Sequence, residues 1–208
     1  MIFDRAKIRT PRPYKPQTLE SLPESWQAFE KKTFTSSLHI EIGSGKGHWI
    51  LNAAKLHSDQ NYIAIERTLL KSSFLLNQAN TLQLKNLCAV RADAILFLHT
   101  VIKDNSVSDF YIWFPNPTPK LRQSNKRFFT SSQFHVLHAK LQNGGKIHLA
   151  SNILDYVDEA KQFLDQIWHY QTSEILIDQF KDNPRTAFEK KYQSRGENIY
   201  DLNALKTT

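Results

Sequence analysis

From Leu38 onward, short runs of apolar and β-favouring residues alternate with longer stretches of helical periodicity. Strands that alternate with helices form βαβ units, in which parallel strands share one sheet. The pattern therefore predicts a single α/β domain with a mainly parallel central sheet flanked by helices. The predicted strands are Leu38–Ile42, Asn61–Ile65, Leu87–Arg91, Phe110–Phe114, Lys146–Ala150 and Ser173–Asp178. The predicted helices are Gly47–Leu56, Leu69–Leu84, Ala94–His99, Ser131–Leu141 and Asp155–His169.

The residues before Leu38 have a different character. Residues 4 to 16 combine prolines and cations with the one acid Asp4, and we interpret them as a flexible basic arm. Such an arm either contacts phosphate groups or stays solvated. A short helix is predicted at Glu24–Lys31. The chain is thus divided into a basic arm with a short helix, residues 1–34, and a larger domain, residues 35–208.

The charge of the chain indicates the class of its partner. The formal net charge is +7 and the isoelectric point is about 9.4, which favours nucleic acid or another polyanion. No apolar run approaches the ~20 residues of a membrane helix, and the histidines show no spacing typical of a metal site. The lone Cys88 and the absence of a hydrophobic signal core after Met1 favour a cytoplasmic protein. The oligomeric state is left open.

A glycine-rich turn, residues 43–47, separates the first predicted strand from a helix. Glycines there allow a sharp bend and a close approach of a ligand to the backbone. The dinucleotide-binding fingerprint would place its third glycine where His48 stands, so a nicotinamide cofactor is disfavoured. The turn also lacks the Gly-Lys-Ser/Thr sequence of a P-loop, which disfavours ATP.

Acidic residues follow the next two predicted strands. Glu66 lies about 20 residues beyond the glycine turn, where an acid accepts hydrogen bonds from ribose hydroxyls. Asp93, followed by the small Ala94, is placed to contact an adenine ring. Each feature alone is also explained as a charge at a strand end. Their joint spacing with Glu41 indicates a nucleoside-containing cofactor without a pyrophosphate, as S-adenosylmethionine is.

A proline-rich, basic segment follows the fourth predicted strand. Three prolines alternate with other residues around Asn116, so the strand ends abruptly and the loop is stiff. A rigid polar tip beside a cationic stretch suits a reactive site that faces an anionic polymer. A capped strand followed by a solvated basic loop is the alternative. The cations expected to face such a polymer are Lys120, Arg122, Lys126 and Arg127, with Arg185, Lys190 and Lys191 further along.

From about Leu38 to its end, the chain resembles the bacterial tRNA (guanine-N7-)-methyltransferase family. The proline-rich basic segment and a Thr-x-Phe-Glu motif are specific to that family, whereas the glycine turn occurs in many methyltransferases. The resemblance rests on Glu41–Gly47, Ile65-Glu66, Asp93-Ala94, Phe114–Pro117, Lys120, Arg122, Asn125–Arg127, Gly144–Ala150, Thr186–Glu189, Gly196 and Ile199–Leu202.

The resemblance implies a Rossmann-like class I domain that uses S-adenosylmethionine to methylate guanine N7 in tRNA. It implies that Thr186 and Glu189 reach toward the methionine end of the cofactor or the target base. The expected cofactor-binding residues are Glu41, Gly43, Gly45, Glu66, Asp93, Ala94 and Asn116. The expected substrate-binding residues are Lys120, Arg122, Lys126, Asn152, Thr186 and Glu189.

The chain departs from the family pattern at four positions on the guanine side of the site. Asn116 and Asn152 replace acids, Gln123 replaces a histidine and Lys126 replaces an arginine. Guanine N7 has a free lone pair, so catalysis needs positioning and charge stabilisation rather than a base. We expect Asn116 to take the catalytic position, where an amide offers only a dipole.

These departures predict a slower or retargeted enzyme. Two alternatives remain open at this point. One is a catalytically weakened or inactive paralogue that binds cofactor or RNA, and the other is a methyltransferase with a substrate other than tRNA.

Overall fold

A computed structural model describes residues 3–15, 17–30 and 37–207. The chain folds into helices and strands that alternate from β1 to α6, as the sequence pattern predicts. The helices are α1 (Glu24–Glu30), α2 (His48–Leu56), α3 (Leu69–Thr81), α4 (Ala94–Val101), α5 (Phe134–Lys140), α6 (Leu154–Gln166) and α7 (Ala187–Gln193), with a 3₁₀ helix at Leu121–Lys126. The strands are β1 (Leu38–Ile42), β2 (Asn61–Glu66), β3 (Leu87–Arg91), β4 (Val107–Trp113), β5 (Leu141–Ser151), β6 (Tyr170–Thr172), β7 (Leu176–Ile177) and β8 (Tyr200–Lys206).

One sheet runs through the molecule in the order β3-β2-β1-β4-β5-β8-β6, and β7 also pairs with β8. Strands β1 to β5 are parallel, and β8 runs antiparallel to its neighbours. The order builds outward from β1 to β3 and then returns to place β4 on the other side of β1. This reversal opens a crevice at the carboxyl ends of β1 and β4, where α/β sheets bind ligands.

Helices cover the sheet through two apolar cores. Helices α2 and α3 pack on β2 and β3, and this smaller core includes Ile50, Tyr62 and Leu75. The larger core joins α1, α4, α5 and α6 to the opposite face of the sheet, where it includes Ile63 of β2 and Val90 of β3. In β1, Ile40 and Ile42 belong to the larger core, so the intervening Glu41 faces the other side of the sheet.

The structure confirms the predicted α/β class and the first three predicted strands, and it corrects the C-terminal part. The strand predicted at Ser173–Asp178 is confirmed only at the two residues of β7, and the longer pairing, β6, precedes Ser173. The strand β8 was not predicted. Its inward side includes Lys206, whose ammonium donates to the carbonyls of His138 and Leu141, both at 2.7 Å. A lysine on the buried side hides the usual apolar alternation.

The first described residues pack against the domain. Phe3 meets the Tyr156 ring edge-on at a centroid distance of 6.1 Å, and Arg5 pairs with Asp155 at 2.7 Å and also with Asp158. The expectation of a flexible arm is therefore wrong for this part of it. The helix end predicted at Lys31 and the domain boundary predicted after residue 34 lie outside the described residues.

No helix within the described ranges is long and apolar enough to cross a lipid bilayer. Within the same ranges, no group of three or more His, Cys, Asp or Glu side chains is arranged to hold a metal ion.

We expect Gly47→Ala to destabilise the fold more than Gly144→Ala. Both glycines have left-handed backbones, with φ of 75° and 77°, so both variants carry similar backbone strain of about 1–2 kcal/mol. An added Cβ at Gly47 would lie 2.2 Å from Leu75 Cδ1, whereas at Gly144 it meets no atom within 4 Å. Overpacking should therefore cost Gly47→Ala about 1–3 kcal/mol more. Urea unfolding measures the difference, and equal free energies of unfolding would contradict it.

Candidate active site

The glycine turn lies at the crevice beside β1 and β4. Gly43 and Gly45 have φ of 75° and 58°, a conformation that only glycine adopts without strain. An added Cβ at either position meets no atom within 4 Å, so the turn faces open space. The backbone amides of Gly43 and Ser44 both donate to the Ile65 carbonyl, which fixes the turn against β2.

Glu66 at the end of β2 also holds the turn. Its two carboxylate oxygens accept from the Gly45 amide at 2.9 Å and the Thr68 amide at 2.7 Å. Burial alone would raise the pKa of Glu66, but these hydrogen bonds outweigh burial and lower it. Glu66 therefore carries a fixed negative charge beside the turn.

A cavity of about 310 Å³ lies against the turn. The side chain of Glu41 reaches it from β1 and is only 3% exposed. Burial, together with repulsion from Glu66, raises the pKa of Glu41 well above its ordinary value. The cavity is lined by Glu41, Gly43, Ser44, Gly45, Lys46, His48, Trp49, Lys71, Trp113, Thr186, Ala187 and Phe188.

Three polar atoms in the cavity wall have no hydrogen-bond partner within the described residues. They are Glu41 Oε2, Ser44 Oγ and Trp113 Nε1. Buried polar groups are almost always paired, so unpaired groups around a cavity indicate that a ligand completes them. Two acceptors beside a fixed charge suit a small cationic ligand that also carries hydroxyl groups.

The Thr-x-Phe-Glu motif forms the opposite wall of the cavity. Thr186 is the N-cap of α7, and its hydroxyl accepts from the Glu189 amide at 3.1 Å. Glu189 is fully buried, and its carboxylate accepts from the backbone amide and the guanidinium of Arg185. Thr186 thus lines the cavity. Glu189 lies behind it and binds Arg185, the residue next to Thr186, so Glu189 helps to hold Thr186 in place.

Arg185 fastens this motif to the sheet. Its guanidinium lies 4.5 Å from the Trp113 ring centroid and 4.0 Å from that of Phe180. It pairs with Glu189 and with Asp201 of β8, both at 2.6 Å. The side chain is 9% exposed, so the expectation that Arg185 faces tRNA is wrong.

The proline-rich segment is anchored by Arg127, which is 1% exposed. Its guanidinium pairs with Glu159 of α6 at 2.6 Å. It also donates to three backbone carbonyls, those of Thr118, Pro119 and Asp4, at 2.8–3.1 Å. Arg127 is therefore not one of the solvated cations of this segment, and its predicted contact with an anionic polymer is wrong.

The other three cations of the segment are exposed. Lys120 precedes the 3₁₀ helix, and Arg122 and Lys126 lie within it. This helix was not predicted. It gives the three cations a defined spacing on a surface that is anchored from below by Arg127.

The remaining predicted site residues lie outside the cavity lining. Asp93 is exposed, and one of its oxygens caps α4 by accepting from the amides of Ile95 and Leu96; Ala94 begins that helix. Asn116 is also exposed, and its side-chain oxygen accepts from the Thr118 amide at 3.2 Å. The Asn152 amide donates to Glu197 at 2.6 Å.

The structure thus brings Glu41, Gly43, Gly45 and Thr186 to one cavity, with Glu66 holding the turn. Ser44, Trp113 and Phe188 also line the cavity but are not among the predicted site residues. Trp113 lies one residue before the end of the predicted strand Phe110–Phe114, which is a usable signal. Phe188 belongs to the Thr-x-Phe-Glu motif, but nothing in the sequence indicates that its ring is exposed at a cavity.

A family model described as "Putative methyltransferase" matches residues 35–202. The tRNA (guanine-N(7)-)-methyltransferase of Brevibacillus brevis is 30% identical over 176 residues, which cover 80% of this chain and 79% of that protein. The chain belongs to this methyltransferase family. The protein of the same name from Enterococcus faecalis is 29% identical over 198 residues, covering 91% of this chain and 90% of that protein.

Solved structures show that this family member has a methyltransferase fold. The 16S rRNA methyltransferase KamB superposes with a TM-score of 0.65, at 12% identity, over 96% of this chain and 99% of that one. A precorrin-6y C5,15-methyltransferase from Geobacter metallireducens gives 0.57 at 18% identity, over 93% and 95% of the two chains. At these identities the likeness concerns the fold alone.

We expect Glu159→Gln to lower the free energy of unfolding by about 3 kcal/mol, because it leaves the buried Arg127 charge without a counter-ion. Asp158→Asn is the matched control on the same helix, since the Asp158–Arg5 pair is partly exposed. Breaking an exposed pair should cost less than about 1 kcal/mol. Chemical denaturation compares the two variants, and similar losses would show that Arg127 does not depend on Glu159.

Proposed function

We propose that this protein transfers the methyl group of S-adenosyl-L-methionine to N7 of a guanine in tRNA. The observation that carries the proposal is the cavity in which Glu41 Oε2 and Ser44 Oγ lack partners, between the glycine turn and Thr186. The family of the chain and the names of its relatives support both the reaction and the substrate.

The cavity residues fit this cofactor. A buried carboxylate beside a second fixed charge is costly alone, and a bound ammonium or sulfonium would compensate it. Glu41 and Ser44 are placed to take the methionine end, and the backbone of Gly43 and Gly45 allows close approach. When bound, the cofactor supplies an electrophilic methyl group. Glu66, Asp93 and Ala94, at the ends of β2 and β3, remain our proposed contacts for the nucleoside end.

The chain's residues then act mainly by positioning. Guanine N7 attacks with a free lone pair, so no residue has to remove a proton. Asn116 lies three residues beyond Trp113, and we propose that its amide faces the base edge as a dipole. Thr186 bounds the cavity from the other side, held by Arg185 and Glu189. Asn152, tied to Glu197, is proposed to complete the base side.

The exposed cations Lys120, Arg122 and Lys126 supply the tRNA contact in this proposal. Phosphate neutralisation gives affinity without sequence information, so specificity must come from the target-base side. A cytoplasmic location follows from such a substrate and is part of the proposal.

We expect 7-methylguanosine to form when the purified protein is incubated with methyl-labelled S-adenosyl-L-methionine and unmodified tRNA transcripts. Nucleoside mass spectrometry identifies the product. A transcript made with 7-deazaguanosine is the control, because it lacks the N7 lone pair and should remain unlabelled. Label in that control would place the methyl group elsewhere on the tRNA.

We also expect Asn116→Asp to raise the methylation rate by about tenfold to a hundredfold, since a carboxylate stabilises the charge that develops on the base. Asn116→Ala should lower the rate. If the unaltered chain binds cofactor but gives no product, while Asn116→Asp with Asn152→Asp does, the chain is an inactive paralogue. Unlabelled tRNA in every case would contradict the proposed substrate.

We expect cofactor affinity to rise with pH over a defined range. The range begins at about 4.3, the ordinary pKa of glutamate, and ends at the raised pKa of Glu41. The cationic cofactor needs the charged carboxylate, and the raised pKa keeps Glu41 of the free protein protonated at pH values where an ordinary glutamate is charged. Binding between these two pH limits should therefore release protons, and calorimetry in buffers of different ionisation enthalpy counts them. Glu41→Gln should release none. Equal proton release from both proteins would exclude Glu41 as the titrating group.

A further inference from the structure

Phe188 lies at the cavity but is not buried. It is 47% exposed, although it lines the same cavity as Glu41, Trp113 and Thr186. Burying a phenylalanine side chain is strongly favourable. An exposed ring at a cavity therefore indicates that a ligand covers it when bound.

Two further aromatic rings pack against Phe188. Tyr192, one turn later on α7, lies 6.1 Å from it at an interplanar angle of 19°. Phe114 lies 6.3 Å from Phe188 and 5.5 Å from Tyr192. The three rings form a continuous aromatic cluster between the end of β4 and α7, which we call the aromatic platform.

The backbone of Phe114 is strained in a way that builds this platform. Its φ is 53°, in the left-handed region that non-glycine residues rarely adopt. Strain of this kind concentrates at functional sites. The residue directly precedes Pro115-Asn116, and its amide donates to the Ala150 carbonyl at 2.8 Å. The turn thus carries the chain from the sheet into the proline-rich segment while its ring joins the platform.

The surroundings of the platform are cationic. Lys190 and Lys191 on α7 are exposed beside it, and Lys46 and Lys71 line the cavity. Aromatic faces among cations are how proteins hold unstacked nucleobases on a polyanionic strand.

We propose that the target guanine stacks on the exposed face of Phe188, which makes Phe188 a substrate-binding residue of the methyl-transfer site. This inference rests on the proposed function. Stacking holds the base at the cavity that Thr186 and Phe188 line, while the lysines hold the flanking phosphates. It assigns recognition of the base plane to Phe188 and recognition of the base edge to Asn116.

The test compares Phe188→Leu, which keeps apolar bulk but removes the ring face, with Phe188→Tyr, which keeps the face. We expect Phe188→Leu to lower kcat/KM for tRNA by about tenfold to a hundredfold, as the loss of one stacked base predicts. Phe188→Tyr should remain within about threefold of the unaltered protein on the same grounds. Leu82→Ala is the control for loss of exposed apolar surface, since Leu82 is 44% exposed at the end of α3 and lies outside the cavity lining.

Two further readouts separate the alternatives. The Kd for S-adenosyl-L-methionine should be unchanged in Phe188→Leu, and a weakened Kd would overturn the proposal because Phe188 would then cover the cofactor. A transcript with 2-aminopurine at the methylated position should lose fluorescence on the unaltered protein and keep it on Phe188→Leu.

Unaltered kcat/KM in Phe188→Leu would also overturn the proposal. If the unaltered chain forms no 7-methylguanosine, the proposed function itself fails. If it forms the product and the leucine variant matches it, only the stacking inference fails.

Discussion

The buried guanidinium of Arg127 holds together three parts of the chain that are far apart in sequence. It pairs with Glu159 of α6, and it binds backbone carbonyls of the N-terminal segment and of the proline-rich segment. A charge this deeply buried is tolerated only when its hydrogen-bonding capacity is met, and here several acceptors converge on it. The same contacts fix the surface that displays Lys120, Arg122 and Lys126 and the loop that carries Asn116.

A second buried arginine does comparable work on the other side of the cavity. Arg185 lies between two aromatic rings and two carboxylates, and it joins the Thr-x-Phe-Glu motif to β4 and β8. Both arginines are polar anchors that leave the lining between them free for binding. The candidate site therefore lies between two segments that are anchored independently, with the glycine turn between them. This arrangement suits a reaction that needs alignment of the reactants more than proton transfer.

The sequence predicted the glycine-turn side of the candidate site better than the side formed by the Thr-x-Phe-Glu motif and the proline-rich segment. Strand ends and a glycine turn are set by local chain geometry, so Glu41, Gly43 and Gly45 could be placed together in advance. The roles of Arg127 and Arg185 depend on acceptors such as Glu159 and Asp201, which are distant in sequence and carry no local signal. The strand β8 was not predicted for a similar reason. Its Lys206 is buried because its amine donates to carbonyls of residues distant in sequence. Phe188 was missed because exposure is a property of the assembled surface.

The position of β8 also sets an order of events during synthesis. Strands β6 and β7 pair with β8 and with no other described strand, yet both leave the ribosome before it. They must wait unpaired until residues 200–206 emerge, while β1 to β5 can already assemble. Because Asp201 of β8 also holds Arg185, the wall that contains Thr186 is secured only at that last pairing. A nascent chain can thus fold its glycine turn early but completes the wall of the candidate site only when β8 arrives.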